Sequence, residues 1–175
     1  KVSLELGNIV NVLEGEHRPG HFDGVIRVVK LLFDIVQPDK AFFGLKDFQQ
    51  FLVIQKMTKV LNMEIEVLGC DIVREDNGLA MSSRNKRLSN IELKNALVLQ
   101  KALHHCKNNF GKMGLQDLQA ECFGILQKES EPEYFEICDA ESLLPITEGT
   151  HSQNIRAFTA TSIGEIRLID NMEIA

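Results

Sequence analysis

The segment Gly44-Leu45-Lys46-Asp47-Phe48-Gln49-Gln50 decides how this chain folds. It follows the apolar run 40–43, which is typical of a strand, and leads into residues 47–61, which lack Gly and Pro and predict a helix. A helix that begins after a glycine turn presents unpaired N–H groups and a partial positive charge. The segment therefore favours binding of an anion such as a phosphate.

Lys46 lies at the start of this predicted helix. Its charge opposes the helix dipole there, at a cost of up to about 1 kcal/mol that a bound anion would offset. A solvated Lys46 beside an ordinary glycine turn explains the same residues equally well, because a single Gly-x-Lys-Asp is a weak signal. Both interpretations stay open from this segment alone.

The composition describes a globular protein that is long enough to bury a core. The 175 residues are 44% hydrophobic and 25% charged, which excludes disordered and fibrous classes. A net charge of −6 argues against nucleic acid or an anionic membrane as a partner. No apolar run approaches the roughly 18 residues of a membrane span, and no signal peptide opens the chain. We therefore expect a cytoplasmic protein.

The cysteines and histidines predict neither a disulfide framework nor a metal site. The cysteines lie far apart without a CxxC pair, which indicates buried or free thiols in a reducing compartment. His17 and His21 have the spacing of zinc ligands on a helix, but Pro19-Gly20 between them breaks any helix. The four cysteines are Cys70, Cys106, Cys122 and Cys138.

The first part of the chain alternates helices and strands. Residues 2–13 predict a strand followed by a short turn or helix, residues 14–20 a polar loop, and residues 64–73 a second apolar strand. This order predicts a parallel α/β sheet, whose ligands lie beyond the carboxyl ends of the strands, where Gly44 and Val73 fall. A helix before Gln37-Pro38 is predicted to bury one stripe, formed by Val25, Val28, Val29, Leu32, Phe33 and Val36.

Residues 74–87 form a second segment that suits a phosphate. After the turn signal Asp76-Asn77-Gly78, they offer two hydroxyls and three cationic side chains within residues 82–87. Hydroxyls, amides and arginine are the donors that a polyphosphate needs. An ordinary basic loop accounts for the same residues and remains open.

The pattern then changes from alternation to helices followed by strands. Ser89 and Glu92 form a capping-box pattern that begins a helix reaching residues 108–110, and a second helix spans 115–129. Three strands follow over 133–140, 155–162 and 165–170, the last two joined as a hairpin through Gly164. We therefore expect a domain boundary near residues 74–88 and a small α+β domain after it.

Four segments together resemble the pantothenate synthetase family of ATP-dependent ligases. They run from Leu13-Glu14-Gly15 through Arg18-Pro19-Gly20-His21-Phe22, then over 43–50, 76–85 and 167–171, in the family's order. The resemblance implies an α/β fold in which residues 1–73 are the second half of a Rossmann-like nucleotide-binding domain of the class I synthetase (HUP) type. Residues 74–175 would be the small α+β domain. The family's opening segment, with its His-x-Gly-His motif, has no counterpart here, which implies a fragment or short form that is incomplete for catalysis.

The resemblance also implies a reaction and a set of ligands. Pantoate attacks the α-phosphate of ATP, with assistance from Mg²⁺, and the amine of β-alanine then displaces AMP from pantoyl adenylate. Family members are typically cytoplasmic homodimers, to which a helix over residues 22–36 would contribute a contact. The implied ATP-binding residues are Gly44, Leu45, Lys46, Asp47, Val73, Met81, Ser82, Ser83 and Arg84, of which Lys46, Ser82, Ser83 and Arg84 are the catalytic candidates.

Individual roles follow from the same resemblance. Lys46 would contact the phosphates, Gly44 and Asp47 would lie near the ribose, and Val73 would meet the adenine through its backbone. Residues 81–84 would form a mobile loop analogous to the synthetases' KMSKS loop. Gln50, one helical turn beyond Lys46, would bind pantoate, with Arg18 and His21 lining the pantoate side. The family usually has Glu where this chain has Leu45, which removes a carboxylate near the phosphates and leaves the effect on nucleotide affinity open.

Two other functions fit parts of the sequence. A nucleotidylyltransferase of the same superfamily would share a Rossmann-like half and a Ser-Ser-Arg loop, but it is not expected to carry Gln49-Gln50 together with Arg-Pro-Gly-His. A non-catalytic nucleotide-binding or association domain derived from the same family is the second alternative. The upstream reading frame distinguishes it, because an enzyme of the family would encode His-x-Gly-His there.

Overall fold

A computed structural model of the chain describes residues 4–149, 152 and 154–175. The chain divides into two compact units, Lys1–Asp71 with Glu141–Leu143 and Ile72–Ala140 with Leu144–Ala175. Each unit has its own sheet, of two strands in the first and three in the second. Within the described residues, no helix combines the length and the hydropathy that crossing a membrane requires.

The first unit is built from two parallel strands and three helices. Strands β1 (Lys40–Gly44) and β2 (Glu66–Cys70) pair in parallel, with Gly44 opposite Cys70. This pairing confirms the predicted parallel α/β arrangement. The helices are α1 (Glu14–His17), α2 (His21–Val36) and α3 (Phe48–Val60), and 3-10 turns cover Gly7–Val10 and Leu45–Asp47.

The start of this unit differs from the sequence prediction. The predicted strand is absent between residues 4 and 13, and residues 2 and 3 of that prediction lie outside the described residues. The 3-10 turn Gly7–Val10 agrees with the short turn or helix that was predicted to follow the strand. Leu6, Ile9 and Leu13 are buried, and their spacing of three to four residues fits a turning chain rather than an alternating strand. The predicted polar loop at residues 14–20 begins as helix α1.

Helix α2 forms where it was predicted, but the predicted buried stripe is partly wrong. Phe22, Ile26 and Phe33 are buried, and the Phe33 ring packs edge-on against Phe43 with centroids 6.4 Å apart. The helix is apolar on more than one face, so periodicity alone did not identify the face that packs on the unit. The misassigned residues are exposed by 58% at Val28, 51% at Leu32 and 66% at Val36.

The second unit packs helices against an antiparallel sheet. The strands β3 (Glu131–Asp139), β4 (Ile155–Ile163) and β5 (Ile166–Glu173) lie in chain order. The β4–β5 hairpin turns at Gly164 with φ +55°, which confirms the predicted glycine hairpin. Helices α5 (Val98–Asn109) and α6 (Leu115–Leu126) pack on this sheet, and their apolar side chains form the core together with those of the strands.

The predicted single helix after Ser89 is two helices. The capping box is present, since the Ser89 hydroxyl accepts from the Glu92 N–H and the Glu92 carboxylate accepts from the Ser89 N–H. It begins α4 (Asn90–Asn95), which ends before α5 starts. Ala96 and Val98 are both fully buried, and residues two apart point to opposite sides of a continuous helix. A turn between the helices lets both Ala96 and Val98 face the core.

Candidate functional site

The turn after β1 is the first part of the candidate site. Gly44 ends the strand, Leu45–Asp47 make one 3-10 turn, and α3 starts at Phe48 with Asp47 at its N-cap. The Asp47 side chain does not cap the helix, and no acidic residue lies in the first turn. The end of α3 therefore carries its partial positive charge without a protein carboxylate in that turn to neutralise it.

Gly44 leaves open space beside this turn. Its φ of −67° is accessible to any residue, so the backbone does not require glycine. A Cβ at this position would meet no protein atom within 4 Å. The small residue therefore keeps the chain accessible at the carboxyl end of β1, where ligands of parallel sheets lie.

The side chains that follow Gly44 divide between packing and exposure. A Cβ on Gly69 would lie 2.6 Å from the Leu45 Cδ2 atom, so the Leu45 side chain packs directly on the backbone of β2. Lys46 is half-buried and Asp47 is exposed. Leu45 therefore acts as an apolar contact within the sheet, and only its backbone belongs to the turn.

Two adjacent glutamines on α3 have different surroundings. Gln49 is 4% exposed, and its Oε1 accepts from the Glu14 N–H at 3.0 Å. Its Nε2 donates to the Ile9 and Val12 carbonyls, both at 2.8 Å. Gln50 is half-buried, and among the residues that the structure describes its amide makes no hydrogen bond within the protein.

Sequence reasoning missed the role of Gln49. The available signal was its position four residues before Val53 and eight before Met57, which places it on the buried face of α3. A polar residue on a buried face needs hydrogen-bond partners. Their identity was not visible in the sequence, because they lie 35 to 40 residues away.

The structure brings Arg18 and His21 together. Arg18 Nη1 lies 3.2 Å from His21 Nε2 and 3.4 Å from Oε2 of the buried Glu14. Gly20, with φ +79°, turns the chain immediately before α2 and so places His21 in its first turn. The cluster joins a cation to an imidazole, which are two donors suited to a carboxylate ligand.

In the second unit, residues 73–81 form a tight base for residues 81–84, which we call the serine loop. The Val73 carbonyl, at an exposed residue, accepts from the Met81 N–H at 2.9 Å. The Leu79 N–H donates to the Asn77 side chain at 3.0 Å, as expected for the predicted turn, and Gly78 has φ +90°. The Val73 carbonyl is therefore partly engaged, while its residue stays accessible.

The hydroxyls and the arginine lie at the start of a 3-10 helix, Ser83–Arg87. Ser82 is its N-cap, and its hydroxyl accepts from the Arg84 N–H at 3.2 Å. Ser83 and Arg84 are exposed, and Arg84 Nη1 reaches the Arg167 carbonyl at 3.3 Å. The segment is thus an ordered turn that presents its donors to solvent.

Asn85 is a second residue whose role the sequence did not reveal. It is 5% exposed, and its Nδ2 donates to Glu75 Oε1 at 2.8 Å and to the Ala80 carbonyl at 3.1 Å. These bonds tie the 3-10 helix back to the base of the loop. An open pocket surrounds this segment, lined by Arg74, Glu75, Asp76, Met81, Ser82 and Ser83 among others.

The described residues offer no dedicated metal cage. Within residues 4–149, 152 and 154–175, no group of three His, Cys, Asp or Glu side chains is placed to hold an ion. Mg²⁺ is commonly held by substrate phosphates with one or two carboxylates. Asp47, next to Lys46, is an exposed carboxylate within the turn itself.

Comparisons with known proteins identify the family of the chain. The model of the Pantoate-beta-alanine ligase family matches residues 1–173. A pantothenate synthetase of Flavobacterium psychrophilum is 41% identical over 164 residues, which are 93% of this chain and 58% of that protein. One from Sulfurihydrogenibium sp. is 44% identical over 176 residues, 97% of this chain and 62% of its own length. The chain thus spans about three fifths of the curated relatives that it matches.

Solved structures give the same relationship. The crystal structure of a Thermus thermophilus pantothenate synthetase has a TM-score of 0.90 and 39% identity, covering 96% of this chain and 61% of that one. A Francisella tularensis pantoate-beta-alanine ligase, complexed with beta-gamma ATP and beta-alanine, has a TM-score of 0.72 and 30% identity. That match covers 99% of this chain and 57% of the other. The observed fold is therefore that of a ligase family with an ATP-complexed member.

Proposed function

This chain belongs to the pantoate–β-alanine ligase family, and from that premise we propose that its protein condenses (R)-pantoate with β-alanine to form pantothenate. ATP drives the reaction through a pantoyl-adenylate intermediate, with release of pyrophosphate and then AMP. The observation that carries this proposal is the accessible turn Gly44–Asp47 at the carboxyl end of a parallel strand, followed by a helix that no side chain caps.

In the first unit, ATP binding is assigned to the turn Gly44–Asp47. The open space at Gly44 lets a ligand approach the backbone closely, and the start of α3 favours its negative charge. Lys46 contributes a full positive charge where negative charge spreads over the phosphates in the transition state. A preorganised donor of this kind stabilises a transition state by about 3 to 4 kcal/mol.

In the second unit, ATP contacts are assigned to Val73 and to Met81–Arg84. The support is that Met81, Ser83 and Arg84 are exposed, and that Asn85, the next residue, is bonded to Glu75 and to the Ala80 carbonyl. Hydroxyls and a guanidinium can donate to phosphate oxygens from several sides. Ser82, Ser83 and Arg84 therefore join Lys46 as the proposed catalytic residues.

Pantoate binding is assigned to Gln50, and Arg18 and His21 are assigned to the lining of the pantoate site. The Gln50 amide has both a donor and an acceptor, which suits a ligand carrying hydroxyls and a carboxylate. Arg18 and His21, already in contact, offer donors for the carboxylate. Attack on the α-phosphorus requires that this carboxylate be held in line with the phosphate, which is a positioning role.

Mg²⁺ remains part of the proposal on the strength of the family resemblance. When bound, it supplies charge neutralisation for the phosphates. Mg²⁺ in such sites is commonly held by substrate phosphates with one or two carboxylates, and Asp47 is the exposed carboxylate of the turn.

The proposal extends to domain organisation, assembly and location. Residues 1–73 are assigned to the nucleotide-binding half-domain and residues 74–175 to the small α+β domain. A homodimer is supported by the exposed apolar face of α2, and a reducing cytoplasm by four unpaired cysteines. The apolar face consists of Val28, Leu31, Leu32, Ile35 and Val36.

The decisive experiment is pantoate-dependent exchange of labelled pyrophosphate into ATP. It is run on this chain and on the longest translation of its reading frame, since the relatives are longer. Exchange that requires pantoate supports the ligase, and the chain length that shows it tells which segments the site needs. If the protein from the longest translation is folded but shows no pyrophosphate exchange, the ligase function is contradicted. A nucleotide-binding or association domain is then favoured.

A further inference from the structure

A strained turn lies between the first 3-10 turn and helix α1. Leu13 adopts φ 48° and ψ −120°, and the Gly15 N–H donates to the Val12 carbonyl at 2.8 Å, which closes a four-residue turn. These angles match the second position of a type II′ turn, where glycine is preferred because a Cβ is crowded. A residue with a side chain keeps such a conformation only where its surroundings hold it.

Gln49 holds this turn on both sides of Leu13. Its Oε1 accepts from the N–H of Glu14, and its Nε2 donates to the carbonyl of Val12, so the amide contacts the residue before and the residue after the strained one. The second Nε2 hydrogen goes to the Ile9 carbonyl. Because both donors and the acceptor are used, the orientation of the amide is fixed.

The turn is closely packed as well as strained. A Cβ on Gly15 would lie 2.0 Å from the Val10 carbonyl oxygen, so this position accepts only glycine without a backbone shift. The chain has no freedom to relieve the Leu13 conformation by moving Gly15. The bonds from Gln49 therefore add a side-chain restraint from α3 to the backbone bonds that close the turn.

The turn determines where the next residues lie. Glu14 begins α1, and its carboxylate is within 3.4 Å of Arg18, which contacts His21. Gln49 itself lies on α3 between Lys46 and Gln50, the proposed contacts of phosphate and pantoate. One amide thus connects the segment that carries Arg18 and His21 to the segment that carries Lys46 and Gln50.

We infer that Gln49 is a positioning residue for the acid substrate: it braces the Leu13 turn and so orients Arg18 and His21 relative to Gln50. The inference rests on the proposed ligase function. Gln49 does not contact substrate itself, since its amide is buried and fully used within the protein. Its loss should therefore weaken pantoate more than ATP.

The test compares Gln49→Met and Gln49→Glu with Gln55→Met. The three variants are made in whichever form of the protein, this chain or its longest translation, catalyses pantoate-dependent pyrophosphate exchange. Gln55 is a matched control, because it lies on the same helix and its Nε2 donates one bond to the Val67 carbonyl at 3.2 Å, away from the turn. Gln49→Met removes all three hydrogen bonds of the amide, and Gln49→Glu removes the two that Nε2 donates. We expect both variants to raise the KM for pantoate about tenfold, with the KM for ATP changed less than about twofold. Gln55→Met should change neither.

A rescue variant separates positioning from general destabilisation. Leu13→Gly makes the positive φ accessible without a brace, so adding it to Gln49→Met should restore most of the pantoate affinity. Amide hydrogen exchange gives a readout without activity: the Glu14 and Gly15 N–H groups should exchange faster in Gln49→Met and unchanged in Gln55→Met.

The possible failures are distinguishable. Equal increases in both KM values, the same effect in Gln55→Met, or no recovery with Leu13→Gly each overturn the positioning role while leaving the ligase intact. Wild-type protein without pantoate-dependent exchange contradicts the ligase itself. In that case amide hydrogen exchange in Gln49→Met still tests the brace. Unchanged rates at the Glu14 and Gly15 N–H groups would overturn it, and faster rates would support it.

Discussion

The guanidinium of Arg74 pairs with the carboxylate of Asp170 through two bonds, Nη1 to Oδ2 at 2.7 Å and Nη2 to Oδ1 at 3.1 Å. The same Nη1 donates to the Gly78 carbonyl, and the Asp170 Oδ1 also accepts from the Asn171 N–H. Asp170 is 3% exposed. This pair fixes the base of the serine loop to β5, although the two residues are 96 positions apart.

Replacing Asp170→Asn should destabilise the protein, because the arginine would keep its charge in a largely buried place. We expect a loss of about 3 kcal/mol in the free energy of unfolding, at the low end for a broken buried pair since the Arg74 side chain is 23% exposed. Urea unfolding measures it. Glu173 lies on the same strand as Asp170, its side chain is 68% exposed, and it pairs with Arg156 of β4. It provides the control, and Glu173→Gln should cost less than about 0.5 kcal/mol. Equal losses in the two variants would show that the Arg74 pair is not special.

Lys46→Ala should slow adenylate formation strongly. One lost electrostatic donor corresponds to about 3 to 4 kcal/mol, or a rate reduction of about a hundredfold to a thousandfold. Pantoate-dependent pyrophosphate exchange measures this rate. Lys59 is an exposed lysine in the last turn of α3, the helix that follows Lys46, and Lys59→Ala should leave the rate unchanged. A turnover of Lys46→Ala equal to the wild type would remove Lys46 from the mechanism.

Gln50→Ala should weaken pantoate selectively. Loss of a hydrogen bond of ordinary strength corresponds to a rise of about threefold to tenfold in the KM for pantoate, while ATP is unaffected. Initial rates at varied pantoate and ATP give both values. Parallel increases for the two substrates would contradict the assignment of Gln50 to pantoate.

Cys70 should be the only thiol that reacts rapidly in the native protein. It is exposed, whereas the other three cysteines are buried. Burial raises the pKa of the Cys138 thiol, and a hydrogen bond with Cys106 together with burial raises the pKa of Cys122, so both stay protonated and unreactive near neutral pH. A thiol-reactive dye should label one site quickly, and the remaining thiols should react only on unfolding.

Cys70 also reports on the nucleotide turn. Because it is paired with Gly44 across the sheet, bound ATP should slow its labelling severalfold. In Cys70→Ser the rapid phase should disappear. Labelling that is equally fast with and without saturating ATP would argue against nucleotide at Gly44.

The exposed apolar face of α2 should hold two copies of the protein together. Ile35, 70% exposed, lies within it, and a carboxylate placed there would be buried without a partner in a dimer. Ile35→Glu should therefore halve the mass measured by light scattering. Ile91→Glu, at an isoleucine 73% exposed on α4, is the matched control and should leave the mass unchanged. A monomeric wild type would contradict the homodimer, and a dimer that survives Ile35→Glu would place the contact elsewhere.

Much of the fold followed from local patterns. The strand, turn and helix around Gly44, the capping box at Ser89 and the hairpin at Gly164 each depend on residues within a few positions, so periodicity and turn chemistry predicted them. The predictions that were wrong involved a choice that local sequence does not make. One was the buried face of α2, and another was the break before Val98.

The sequence by itself determined the order of the elements from α2 onward apart from the break before α5, the parallel pairing of β1 with β2, and the family. These depend on local periodicity and on motifs of consecutive residues. Only the tertiary structure decided which backbone groups the buried Gln49 amide contacts. It also decided that Asn85 and Asp170 anchor the serine loop. The partners of Gln49, and Arg74 as the partner of Asp170, lie 35 or more residues away, and chain folding brings them within hydrogen-bond distance, which no local pattern specifies. The partners of Asn85 are nearer in sequence, but they depend on the turn that precedes it.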